Sequence, residues 1–210
     1  MSDPARIPLF PLDVVLFPGT PLPLHIFEPR YREMVRHCLD EKKEFGVVLA
    51  RQDGIAAVGC TAEILEVIKR YPDGRMDILT AGRNLYRLLE VFEELPYLEG
   101  QVEYLEDDLA PASAAVRDKL AKAYAQCYTL LFGRSPQPLP PGIEVPLSYH
   151  IASELPLDLE SKQELLEALS EAEREERLLE QIQHWLPQLT HMNRVRKKAG
   201  GNGHGLGGKT

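Results

Sequence analysis

The last eight residues, Gly203-His204-Gly205-Leu206-Gly207-Gly208-Lys209-Thr210, match GxxxxGK[ST], the spacing with which a glycine-rich turn wraps its amides around a phosphate. That chemistry needs a buried strand to deliver the turn and a helix to aim its dipole at the anion. No strand pattern precedes the match and no helix pattern follows it. Residues 200–210 include six glycines, so the match reads as composition, and no nucleotide or other cofactor is expected. Nucleophilic catalysis has no better support, because no GxSxG or comparable strand-to-helix elbow is present. His25, His37, His150, His184, His191 and His204 are scattered, and no CxxC or HExxH pair offers a metal site. The adjacent acids Glu93-Glu94, Asp107-Asp108 and Glu175-Glu176 point in different directions on a strand or helix, which rules out a shared acid/base pair. No catalytic residue and no metal ligand is therefore expected.

One constellation remains as a candidate binding site: His25, Phe27, Glu28, Arg30 and Tyr31, joined by Arg83. Glu28 precedes a helix that Arg30 and Tyr31 open, and Arg83 follows Ala81-Gly82. The same residues could instead form an ion pair that locks the first helical turn.

Residues 7–105, which carry these candidates, read as β-rich. Short apolar or alternating runs cover Phe45–Ala50, Ala57–Lys69, Arg75–Thr80, Leu85–Phe92 and Leu98–Leu105. Turn signals separate them at Asp53-Gly54, Pro72-Asp73-Gly74 and Ala81-Gly82, the last expected to use a positive φ at Gly82. One helix interrupts the strands near 29–42, where Tyr31, Met34, Val35, Cys38 and Leu39 recur at helical spacing behind Pro29. From about Ala112 to Lys198 the periodicity is helical, with breaks expected at Gly133–Gly142, Pro156 and Pro187 and a capping pattern at Ser170-Glu171-Ala172-Glu173. The expected organisation is a β-rich subdomain at 6–108, a helical bundle at 112–198 and a disordered glycine-rich tail at 199–210. The apolar opening (Leu9, Phe10, Leu16, Phe17, Leu22, Leu24, Phe27) is richer than one strand needs, so part of it is expected on the surface.

Composition bounds the function. The chain has 210 residues, 44% hydrophobic and 27% charged, with no apolar run long enough to span a membrane and no signal-peptide pattern, so a cytoplasmic protein is expected. The widely spaced Cys38, Cys60 and Cys127 read as buried, reduced thiols. Net charge is −8, and setting aside the five bases of residues 190–210 leaves 19 Lys and Arg against 32 Asp and Glu, a body near −13 that repels phosphate and argues against nucleic acid.

The stretch PLFPLDVVLFPGTPLPLHIFEPRYREMV (8–35) resembles the opening of the amino-terminal, substrate-binding domain of the Lon protease family. The likeness continues in VGCTAEI (58–64), PDGRMDILTAGRNLYRL (72–88) and YLEGQVEYLEDD (97–108), and resumes in the helices at Leu155–Glu180. The resemblance implies an α+β fold: a PUA-like β pseudo-barrel with one packed helix, followed by a small helical bundle. It also implies a non-catalytic module that binds unfolded or damaged protein segments, or a protease or chaperone partner. The ATPase and Ser-Lys peptidase domains of that family have no counterpart in these 210 residues. PUA-like barrels also serve RNA, and an RNA-binding protein is the alternative reading; the acidic body speaks against it.

Overall fold

Residues 71–75 fold as their chemistry requires: Gly74 takes the left-handed region at φ 87°, and the Tyr71 amide donates to the Arg75 carbonyl at 2.9 Å. This turn joins β5 (Val58–Arg70) to β6 (Met76–Phe92), the two longest strands. The computed structural model describes residues 5–137 and 145–201, with side chains of the last helix described as far as Val195. The expectations for the glycine-rich tail and the phosphate-loop match fall mainly on residues 202–210, outside the described residues.

Around these two strands stand β1 (Ala5–Leu12), β2 (Pro21–Ile26), β3 (Phe45–Arg51), the short β4 (Gly54–Ile55) and β7 (Glu99–Tyr104). The order is β1-β7-β6-β5-β3-β4, and a parallel pairing of β1 with β3, Leu9 opposite Gly46 through Leu12 opposite Leu49, closes the sheet on itself. β2 pairs with the first half of β6 alone. Helix α1 (Pro29–Glu41) buries Tyr31, Met34, Val35 and Cys38, with the Tyr31 ring 4.1 Å from that of Phe10, so the helical stripe in the sequence is the face it packs.

Inside the barrel, Ile7, Leu9, Tyr86 and Val102 pack together. Tyr86 is fully buried and its hydroxyl donates to the Val47 carbonyl at 3.1 Å. A Cβ at Gly46 would stand 2.6 Å from that hydroxyl, and one at Gly59 would overlap it, so both glycines are the room the phenol occupies. Burial pushes the Tyr86 phenol far up, which keeps it neutral and a donor. The three cysteines are free and buried, and burial raises the Cys38 thiol to about 11.

The helices divide otherwise than their order suggests. The chain forms two compact units, residues 1–110 with 142–171 and residues 111–141 with 172–210, in place of the sequential division at 108–112. Helices α3 (Leu147–Glu154) and α4 (Leu159–Glu167) belong to the first unit through specific ties. Tyr149 stacks on Phe17 at 5.3 Å and donates to Asp107 at 2.8 Å; the buried Gln163 donates to the Val58 carbonyl at 3.0 Å. Glu171 accepts from the Ser148 amide at 3.0 Å. In the second unit, α2 (Ala114–Phe132) starts at the Ser113 cap and ends on Gly133 at φ 72°. Helix α5 (Glu171–Gly201) continues through Pro187, where a break was expected; the apolar period Leu178, Ile182, Trp185, Leu189 runs on across the missing N–H. Its buried Glu175 accepts from the Ala112 amide at 3.0 Å.

As expected, part of the apolar opening is on the surface: Phe27 is exposed and Leu22 and Leu24 are half-buried, while Leu9, Phe10, Leu16 and Phe17 are core. One further expectation is corrected. Ala81-Gly82 is no turn: β6 continues through it, with an extra residue against β5 just beyond, between Gly82 and Leu85, and Gly82 lacks a positive φ. Residues 17–20 lie against it instead, the Gly19 amide donating to the Gly82 carbonyl at 2.9 Å and the Gly82 amide to the Thr20 carbonyl at 3.0 Å. A Cβ here would overlap the Phe17 carbonyl oxygen.

Gly82→Ala should therefore cost about 1–3 kcal/mol through overpacking against backbone that cannot swing away, measured by urea denaturation. A second outcome concerns Asp158, whose carboxylate caps α4 by accepting from the Ser161 amide at 2.9 Å and the Ser161 hydroxyl at 2.7 Å. Those bonds hold its carboxyl below the usual range, so its stabilisation is present above the unfolded value of about 3.9 and lost as pH falls through the lower folded value. Asp158→Ala should lose about 1 kcal/mol at neutral pH, with the gap to the parent closing in acid.

Candidate functional site

Opposed residues of antiparallel strands share a face, so the register of β2, β6 and β5 sorts their side chains. Met76, Ile78 and Thr80 are buried, with Ile26, Leu24 and Leu22 opposite them on β2. The other face carries Asp77, Leu79 and Ala81 on β6, with His25, Pro23 and Pro21 opposite on β2 and Lys69, Glu66 and Glu63 on β5.

Two irregularities in β5 change what this outer face presents. The register shifts between Ile64 and Glu66 and again between Val67 and Lys69, each inserting one residue. A bulge sets two residues against one, so Leu65 joins Glu66 beside Leu79 and Ile68 joins Lys69 beside Asp77. Leu65 is 49% exposed and Ile68 57%. With Pro21 and Pro23 exposed and Leu79 half-buried between them, the outer face holds an apolar strip across three strands. Phe27, just past β2, is 59% exposed and extends it.

β2 is an edge strand, and its two prolines lack the N–H that an added strand would need. The face therefore offers side-chain contact in preference to strand addition.

At the end near the β5–β6 turn the strip meets a polar cluster. His25 Nδ1 lies 2.5 Å from Asp77 Oδ1, and the Tyr71 hydroxyl donates to Asp77 Oδ2 at 2.8 Å. The His25 bond and then the Tyr71 bond hold the Asp77 carboxyl below its ordinary range. The rings against His25 are Phe27, stacked at 6.0 Å, and Tyr71, edge-on at 5.9 Å. Neither brings a nucleophile, because the Tyr71 hydroxyl is committed to Asp77. Among the described residues no group of three or more His, Cys, Asp or Glu could hold a metal ion.

The residues singled out in the sequence are thus separated. His25 and Phe27 lie together at the turn end of the face. Glu28 and Arg30 pair with each other at 2.9 Å, and the Arg30 guanidinium lies over the Tyr31 ring at 4.5 Å. Tyr31 is core, 7% exposed. Arg83 pairs with Glu63 at the opposite end, six residues along β6 from Asp77, or roughly 20 Å at a strand's rise. Leu65, Ile68, Leu79 and Pro23 were missed. The signal was present in the consecutive apolar pairs Ile64-Leu65 and Val67-Ile68, which break strict alternation and oblige one member of each to face out.

Residues 6–184 match the family described as the ATP-dependent protease La (LON) substrate-binding domain. The Lon protease of Parabacteroides distasonis is 33% identical over 110 residues, 48% of this chain and 13% of that protein. Lon protease 1 of Hydrogenovibrio crunogenus is 26% identical over 200 residues, 89% of this chain and 24% of that one. The chain thus spans about a quarter or less of the length of these curated relatives. Among solved structures, a Lon N-terminal domain protein from Xanthomonas campestris aligns with TM-score 0.68 and 26% identity, covering 87% of this chain and 99% of that one. The N-terminal domain of the Mycobacterium avium complex Lon protease aligns at 0.62 with 18% identity over 85% and 98% of the two chains. The matched region is the substrate-binding domain, with the α+β, PUA-like fold that the strand order already describes, and this chain belongs to the LON substrate-binding domain family.

Proposed function

We propose that this chain recognises unfolded or damaged polypeptide segments through the outer face of β2, β6 and β5, serves a protease or chaperone partner in the cytoplasm, and catalyses no reaction itself. The observation that carries the reading is the solvent exposure of Leu65 and Ile68 on neighbouring bulges, with Pro23, Leu79 and Phe27 beside them. Leaving two aliphatic side chains about half exposed forgoes on the order of 1 kcal/mol each. Contiguous apolar surface of this kind marks an interaction site, and an unfolded chain supplies the apolar side chains that a folded one hides. Family membership supports recognition of protein substrates in general, and the edge-strand prolines favour contact through side chains. The site residues proposed are Pro23, Phe27, Leu65, Ile68 and Leu79, with His25 at their margin and Glu28, Arg30 and Arg83 as flanking charges. An RNA ligand is disfavoured by the net charge of −8.

The test is fluorescence anisotropy of a labelled, permanently unfolded polypeptide, with its folded form as control. A Leu65→Ser, Ile68→Ser double variant should bind about tenfold more weakly at an unchanged melting temperature, and the parent's affinity should persist in high salt. Equal affinity for folded and unfolded forms, or a double variant that binds like the parent, removes the reading.

A further inference from the structure

The two ends of the apolar strip differ in charge. At the β5–β6 turn stand Arg32, Lys69, Arg70 and Arg75, against Asp73 and Asp77. Arg75 is held by Asp73 at 2.7 Å, and Asp77 is engaged by His25 and Tyr71. Lys69, opposite Asp77 on the outer face, lies over the Tyr71 ring at 4.5 Å, whereas Arg70, opposite Met76, leaves β5 on the other face and reaches the Met76 sulfur at 3.5 Å. Among the described residues neither has a carboxylate within ion-pair distance. Arg32 Nη1 donates to the Asp73 carbonyl at 2.5 Å, tying α1 to the turn. At the far end, Arg83 is neutralised by Glu63, Asn84 donates to Glu44 at 3.4 Å, and Asp107 lines with Arg83 and Asn84 a cavity of about 410 Å³. That end is acidic, as is the protein at large.

We infer that the face takes its ligand in one charge polarity: an extended apolar segment of about six residues, with acidic residues on the flank at the β5–β6 turn, over Lys69. This rests on the polypeptide-recognition reading and adds the class of segment. The length follows from the roughly 20 Å between the two charged ends, at about 3.3 Å per extended residue. Acidic side chains find Lys69 without an ion-pair partner at the turn, where Arg32, Arg70 and Arg75 add to the positive balance over Asp73 and Asp77. If the segment is reversed, they meet Glu63, Glu44 and Asp107 against the single Arg83. Cations beside aromatic rings also suit a phosphate backbone, but a polyanion following the strip would meet that acidic end, which favours the peptide.

The experiment uses the full chain and labelled peptides sharing one six-residue apolar core. Their flanks are neutral, or carry two aspartates at the amino or the carboxyl side, and a single-stranded RNA oligomer of similar length is included. One acid-flanked peptide should bind about three- to tenfold tighter than the neutral one at low salt, with the gain falling toward one near 1 M. Lys69→Glu should abolish or invert that gain. A neutral peptide that binds with no gain from either acidic flank overturns this inference alone. A neutral peptide that fails to bind at all removes the recognition reading and the inference with it, and RNA bound in preference to every peptide overturns it in favour of a phosphate ligand.

Discussion

The slot that two glycines leave for one tyrosine is the constraint on which the barrel depends. Tyr86 sits at the middle of β6, and its ring can lie in the interior because Gly46 on β3 and Gly59 on β5 put nothing in its way. The hydroxyl then satisfies itself on the Val47 carbonyl. One side chain thereby fixes the spacing of three strands, two of which, β3 and β6, are not neighbours in the sheet order. A buried phenol without that acceptor would cost on the order of 1–3 kcal/mol, and a smaller side chain would leave a cavity.

The rest follows along β6. Its second half, anchored by Tyr86, pairs with β7 and holds the barrel; its first half runs on past Gly82 to carry β2 on one side and the bulged part of β5 on the other. Because Gly82 admits the 17–20 segment against the strand, β6 stays continuous where a residue with a side chain would push that segment away. A continuous strand keeps Asp77, Leu79 and Ala81 on one face in register with β2. The bulges in β5 then add Leu65 and Ile68 to that face. Core packing and surface exposure are in this sense two sides of one strand, and the exposed apolar strip is the outer face of a well-buried sheet.

Much of this was legible beforehand. The Pro72-Asp73-Gly74 turn, the stripe of α1 and the burial of the cysteines rest on local rules that the structure obeys, and the family resemblance extended along most of the chain. What failed to show were features set by non-local approach. Gly82 looks like turn punctuation because glycine serves both positive φ and close contact, and one sequence does not say which. Pro187 reads as a stop although its helix continues. The helical run from Ala112 gave no hint that α3 and α4 group with the sheet, since the ties through Tyr149, Gln163 and Glu171 are made by residues distant in sequence. For the site, Arg83 was placed with His25 on the strength of the supposed turn, whereas a continuous β6 sets them at opposite ends.

On the proposed function, an unfolded chain touches the outer face of β2, β6 and β5. Methyl-resolved NMR of the full chain, titrated with a permanently unfolded polypeptide, tests it most directly. Docking on that face requires the methyl signals of Leu65, Ile68 and Leu79 to shift or broaden first and together, while those of the buried Leu9 and Ile78 stay in place. Perturbation confined to the α2 and α5 helices, or spread evenly over the molecule, would contradict it.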